Sequence, residues 1–224
     1  MHEPTDSSVG VSAQDFGPLP GRPRAKRRSQ RQIEESVEIK AAIVRAALVV
    51  FAQRGYTQTT LEAVAKTVGL TRSGILHHFS SKDALFQAVL ELQMSWAQQQ
   101  AEPAGGDPAL GGLAAFLGKA GNAQVPLQLA HVLEGEAIAG NAAAAEHVRG
   151  RAAFVEQEVR RRLAIGLERG EVAADVDPDA AATLVTAAIN GLQAAWLLEP
   201  ATDTERAFEL LLRLLAPSAG AADA

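Results

Sequence analysis

From Ser36 onward the apolar residues recur at three- and four-residue spacing, and no stretch of useful length alternates with a period of two. That pattern restricts the chain to an all-α fold. Ile39, Ile43, Ala46, Ala47, Val50 and Phe51 form the first stripe, and Gly55 is placed to end it as a left-handed C-terminal cap. Thr59-x-x-Glu62 fits a capping box, with Leu61, Val64, Ala65 and Val68 on one face of a short second helix. Gly69 supplies a tight turn, and Thr71 caps a third short helix reaching about Leu76. Ser80-x-x-Asp83 fits a second capping box, opening a fourth helix that carries Leu85, Phe86, Val89 and Leu90. Pro103, Gly105, Gly106 and Pro108 mark a loop. Further helices are expected over 109–120, 124–139, 142–169, 178–198 and 203–216, giving about nine in all. Gly140, Gly170 and Pro200 separate them, and Asp177-Pro178 reads as a cap followed by a first-turn proline.

The net charge of -5 is unevenly distributed. Gly21 to Phe86 holds 12 Lys/Arg against 5 Asp/Glu, whereas Gln87 to Ala224 holds 9 against 18. A basic module followed by an acidic domain fits a nucleic-acid binder better than a uniformly charged enzyme surface. Cysteine is absent, which excludes disulfides, thiolate metal sites and a cysteine nucleophile. The N-terminus is polar and broken by Pro4, Pro18 and Pro20, without the apolar stretch of a signal peptide. Ala41 to Ala52 is split by Arg45 and is too short to cross a bilayer. A cytoplasmic protein without a membrane partner is expected.

Four regions follow: a disordered basic arm over 1–35, a basic helical domain over 36–92, a larger acidic helical domain over 93–217, and a disordered tail over 218–224. Within the arm, Arg22, Arg24, Lys26, Arg27, Arg28 and Arg31 form an unopposed basic run. It is either a solvated tail or an arm lying along phosphates or in a minor groove.

Thr60–Val68, Gly69–Leu70 and Thr71–His78 have the layout of a helix-turn-helix, two short helices joined by a glycine-containing turn. In such a unit the N-terminal residues of the second helix reach base edges in the major groove. Thr71, Arg72 and Ser73 stand there, while Ile75, Leu76 and Phe79 anchor the other face. A wider pattern runs Ile43-x-x-Ala46-Ala47-x-x-x-Phe51-x-x-x-Gly55-Tyr56-x-x-Thr59-Thr60-x-x-x-Val64-Ala65-x-x-x-Gly69-Leu70-Thr71. With His78-Phe79-x-x-Lys82-x-x-Leu85 it resembles the tetracycline-repressor (TetR) family over about fifty-five residues.

The resemblance implies three N-terminal helices that bind DNA and a divergent helical domain that dimerises and usually holds a small effector. It implies phosphate contacts by Thr60 and Lys82. Arg72 is the candidate base reader, bidentate to guanine. Thr60 also suits a plain helix cap. The family often has a tyrosine in the recognition helix, before the His-Phe pair, where this chain has Leu76-His77. His77 is the nearest replacement, with His78 a second phosphate candidate or a packed ring beside Phe79.

In the second domain Thr183, Ala187, Gly191 and Ala195 form a four-spaced row of small residues, flanked by Leu184, Ala188, Leu192 and Trp196. Phe208, Leu211, Leu212 and Leu215 offer a second apolar face. Packed against their symmetry mates, these helices would make an isologous four-helix interface; intramolecular core packing is the alternative. Trp96, Phe116, His131, Glu134, Asn141, His147 and Phe154 are candidates to surround an effector. His131 and Glu134 share a face but lack enough companions for a metal site. The Arg160-Arg161-Arg162 run, one turn after Glu156 and Glu158, reads as a solvated surface.

The leading expectation is a homodimeric repressor released from a palindromic operator by a small molecule, with no cofactor. A ligand-independent regulator or activator is the alternative. A helical enzyme ranks far behind, since no nucleophile–base pair, phosphate loop or HExxH motif is present and no catalytic residue is assigned.

Overall fold

The computed structural model describes residues 23–101, 109–113 and 124–217, with 23–29 by backbone alone. Among the described residues there is no strand. The helices are α1 (Pro23–Gln58), α2 (Leu61–Thr67), α3 (Arg72–His78), α4 (Lys82–Ala101), α5 (Gln124–Ile138), α6 (Ala142–Glu168), α7 (Pro178–Leu198) and α8 (Thr204–Leu215). A helical stretch at 110–113 falls inside the helix expected at 109–120, whose remainder, Phe116 included, lies outside the described residues. The all-α architecture read from the spacing is therefore observed.

Two compact units divide the chain, Met1–Lys40 and Ala41–Ala224. In the first, the expectation of an unstructured segment over 1–35 is corrected from Pro23 onward, where the backbone is helical. Pro23 has the φ suited to a first helical turn. Ala, Arg, Lys, Gln and Glu then follow, all good helix formers needing no buried stripe. Periodicity reveals only helices that bury a face, and Ile33 and Val37 are exposed here. Arg24, Lys26, Arg27 and Arg28 thus fall on a helix. Residues 1–22 and the tail at 218–224 lie outside the described residues.

In the second unit the expected stop at Gly55 is a break inside α1. Gly55 has φ 71 and ψ 177, a left-handed conformation that side-chain-bearing residues rarely adopt, and helical turns resume to Gln58. Neither expected capping box forms, and in each place a simple cap stands one residue later. Thr60 caps α2 by accepting from Ala63 N at 3.2 Å, while the buried Thr59 hydroxyl donates back to Gly55 O at 2.7 Å. Ser81 caps α4 by accepting from Ala84 N at 3.0 Å, and Asp83 instead accepts from the Tyr56 hydroxyl.

Two hydrophobic cores organise this unit. The first joins α1 to α4 through Ile43, Phe51, Val64, Ile75, Leu85 and Phe86, and continues into Leu129 and Leu133 of α5 and Ala144 of α6. The second joins Val155, Val159 and Leu163 of α6 to Val185 and Ile189 of α7 and to Phe208 and Leu215 of α8. Helix α4 crosses position 92 without a break, and the change of core falls along α6. Phe208 and Leu215 are thereby corrected: they fill the protomer's own core and are withdrawn from the face expected to meet a second copy.

Asp177 and Pro178 open α7 as read, the Asp177 side chain accepting from Asp179 N and Ala180 N. Among the described residues α7 is the one helix with the length and apolarity to cross a membrane, at a mean hydropathy of 1.4. Its Ala181, Ala182, Val185 and Ile189 are buried within the protomer, leaving a mostly small-residue face outward.

Candidate nucleic-acid interface

The turn between α2 and α3 is closed by backbone geometry. Gly69 adopts φ 68, and Leu70 N donates to Ala65 O at 2.9 Å, satisfying a carbonyl at the end of α2. The chain then re-enters helix at Thr71, whose side chain accepts from Gly74 N at 3.1 Å. Ile75 is fully buried and Phe79 nearly so, with Leu76 packed partly against the same core. Their opposites, Thr71, Arg72, Ser73 and His77, are exposed. A short helix is thus fixed by its apolar face and presents hydroxyls and a guanidinium from its first turn. That is the arrangement needed to read base edges in a major groove.

Leu76 lies in the packed interior edge of α3, which explains why an apolar residue stands there. His77 is exposed, and its ring meets the His78 ring edge-on at 5.2 Å between centroids. Arg72 Nε lies 2.8 Å from Glu62 Oε1, both side chains largely exposed. The carboxylate of α2 therefore holds the candidate base reader over the surface in the free protein. An exposed pair of this kind contributes at most about 1 kcal/mol, and base or phosphate contacts can displace it.

Lys82 is differently placed from the free cation expected at the start of α4. Its ammonium donates to Tyr56 O at 2.9 Å and to Thr59 O at 3.1 Å, and lies 4.2 Å from the centre of the Tyr56 ring. It closes the carbonyl end of α1, a structural role beside the phosphate contact that the resemblance implies. An ammonium has three donors, and two are used here. The Tyr56 hydroxyl is pushed up to about 12 by burial, then by its hydrogen bond to and the negative charge of Asp83. It remains a neutral donor at any physiological pH.

The residues expected around an effector separate into different environments. Phe154 lines a cleft with Leu113, Val159 and Ile189. Trp96 is half-buried on α4. Asn141 is corrected to a helix cap: it accepts from Ala144 N at 3.2 Å and donates to Glu136 at 3.2 Å. His131 and Glu134 belong to one polar group and His147 to another. His131 Nδ1 lies 2.8 Å from Glu134, which accepts from Arg151 at 3.0 Å, and His147 Nε2 donates to Gln93 Oε1 at 2.6 Å. Burial raises the Glu134 carboxyl, but His131 and Arg151 outweigh it and hold the group below its usual range. Among the described residues no cluster of His, Asp and Glu is fit to hold a metal ion.

The arginine run overturns its expected reading at one member. Arg160 and Arg161 are exposed and pair with Glu156, Asp179 and Glu158. Arg162 is 1% exposed, donating from Nε to Glu158 at 2.7 Å and from its NH2 group to Ala101 O at 2.5 Å. Helical spacing holds the signal that would have found it: Val155, Val159 and Arg162 share one face, and Leu163 adjoins it.

On α7, Leu184, Ala187 and Gly191 are exposed as expected, and Ala188, Leu192 and Ala195 are half-buried. Ala188, Gly191 and Leu192 line a shallow groove with Ala207 and Leu211 of α8, and Leu212 is half-buried beside it. Leu210 and Leu214 on α8 are exposed.

Residues 43–89 match the family described as bacterial regulatory proteins, tetR family. The HTH-type transcriptional regulator TtgR of Pseudomonas putida is 42% identical over 62 residues, 28% of this chain and 30% of that protein. This chain therefore spans under a third of the length of that relative. The A-factor receptor protein of Streptomyces griseus is 26% identical over 162 residues, covering 70% of this chain and 55% of that one. A TetR transcriptional regulator from Chloroflexus aurantiacus, solved as a crystal structure, superposes with a TM-score of 0.68 at 25% identity. That superposition covers 80% of this chain and 95% of the other.

Proposed function

We propose that this chain, whose residues 43–89 match the tetR family of bacterial regulatory proteins, is a sequence-specific transcription regulator: a cytoplasmic homodimer that represses from a palindromic operator and is released by a small molecule. The observation that carries the reading is α3 itself. It is seated on Ile75 and Phe79 and offers Thr71, Arg72 and Ser73 outward from a capped first turn. Thr60, His77, His78 and Lys82 supply the phosphate contacts around it.

The exposed row on α7 and the groove shared with α8 supply the surface for a second copy, without Phe208 and Leu215. Two-fold pairing through this face would set two recognition helices about one turn of DNA apart, ~34–36 Å. Effector binding favours a conformation with mis-spaced recognition helices, a shift of population. One relative is by name a receptor for A-factor, in keeping with a domain that holds a small molecule.

Selection of bound sites from random double-stranded DNA tests the reading. It should enrich a two-fold symmetric sequence with half-sites about one helical turn apart. Enrichment of no sequence, or of an asymmetric single site, would overturn it.

A further inference from the structure

Arg162 is the most costly side chain in the interior, a guanidinium taken almost wholly out of water. A charge so placed needs a full set of partners. It has only some. Its Nε meets Glu158 and one terminal nitrogen meets Ala101 O, but the other, Nη1, is buried with no partner among the described residues. Glu158 does not neutralise it alone, because the same carboxylate also takes two bonds from Arg161, at 2.9 and 2.7 Å. Two guanidinium groups share one carboxylate, and the site is short of one negative charge.

Arg162 and its partner Glu158 line a cleft whose other walls are apolar: Ala101 at the end of α4, Leu113, Phe154, Val155 and Val159, and Ile189 of α7. Other unpartnered buried polar atoms stand near it in register. Gln100 precedes Ala101, and Thr186 and Gln193 stand one turn before and one turn after Ile189.

We propose that this cleft is the effector site and that the effector is an amphipathic carboxylic acid, its carboxylate on Arg162 and its apolar part against Phe154, Val159 and Ile189. The inference rests on the reading of the chain as an effector-responsive regulator and adds the ligand class to it. A guanidinium edge offers two parallel donors to a carboxylate, a match that an alcohol or an amine lacks. The cleft as it stands admits little more than a water molecule. A ligand therefore enters by spreading α4 from α6, and its carboxylate competes for the nitrogen now held by Ala101 O. Acid binding loosens the grip of Arg162 on the end of α4, whose other end is fixed beneath the helix-turn-helix by Leu85 and Phe86.

The test uses the full chain and straight-chain monocarboxylates from butanoate to dodecanoate, with alcohols and amines of matched length, in calorimetric titration and in DNA-release assays on the selected operator. At least one acid should bind and release DNA, with the matched alcohol and amine at least about tenfold weaker. Arg162→Met should lose about tenfold or more in acid affinity. Glu158→Gln should bind acids more tightly, because it removes the competing internal carboxylate. Should R162M not fold, Ile189→Trp fills the cleft without touching the charge and should abolish binding. Equal binding of acid and alcohol, unchanged affinity in I189W, or no binding by any acid would overturn the proposal. Failure of the protein to select any DNA would instead overturn the regulator reading, so the two failures are distinct.

Discussion

The ammonium of Lys82 lies 2.9 Å from the carbonyl oxygen of Tyr56 and 4.2 Å from the centre of the same residue's ring. One cation thus ties the start of α4 to the end of α1, across the base of the helix-turn-helix. Its third donor is left for a phosphate. Lys82→Ala should therefore do two separable things. It should lower stability by roughly 1.5–3 kcal/mol, the range for hydrogen bonds to a charged group. It should also reduce the slope of log affinity against log salt by about 1. A drop in melting temperature with an unchanged salt slope would confine Lys82 to holding the fold.

Arg72 and Glu62 form an exposed pair, so neither substitution should destabilise the protein by more than about 1 kcal/mol. Arg72→Ala should relax sequence preference at one operator position while binding to unrelated DNA is largely retained. Glu62→Gln should strengthen binding to every sequence, since it removes a negative charge from the DNA-facing surface. Equal weakening of Arg72→Ala on operator and random DNA would remove it from base reading.

The sequence reveals most where a residue answers to its immediate neighbours. Thr71, Gly69 and the Asp177-Pro178 pair act within one turn of their own helix, and each sits where its spacing places it. It misleads where the partner is distant along the chain. Lys82 donates to carbonyls 23 and 26 residues earlier, and Arg162 to one 61 residues earlier. Phe208 and Leu215 share a stripe with Leu211, but periodicity does not say whether a stripe meets its own chain or a second copy. The helical residues 30–35 escape a sequence reading for another reason: all are exposed, so they leave no period to detect.

Gly191 has open space where a Cβ would stand. Gly191→Leu should accordingly leave the protomer folded, with an unchanged helical circular dichroism spectrum. The same substitution would occupy the groove lined by Ala188, Leu192 and Leu211 and should yield a monomer by sedimentation. A dimeric G191L protein would move the interface to another face.

Gly55 tests the junction between α1 and α5. A Cβ there would meet the Glu136 carboxylate, in a backbone conformation that already disfavours a side chain by about 1–3 kcal/mol. Glu136 is held in place by Thr57 N at 3.3 Å and the Asn141 amide at 3.2 Å. Gly55→Ala should lower the urea midpoint, and Glu136→Ala in the same chain should recover the part due to contact. A double-mutant cycle separates that part from the backbone cost. Strict additivity would show that Gly55 serves backbone geometry alone.

His147 gives the fold a dependence on pH. Its Nε2 donates to the buried Gln93, whose amide donates in turn to Pro126 O at 2.7 Å. Burial first, then the positive charge of Arg151, holds the imidazole below its ordinary value of 6.5. The unfolded chain takes up a proton at that position near pH ~6.5, while the folded chain resists until the pH is lower. Between the two values the unfolded state binds more protons, so stability is complete above ~6.5 and is lost as pH falls toward the folded value. Glu134 and Glu158 are held below their usual 4.5 and act at lower pH, outside this window. Melting temperature should fall between about pH 7.5 and about pH 5.5, and His147→Gln, which keeps a donor for Gln93, should flatten that fall. An equally steep profile in H147Q would remove His147 as its source.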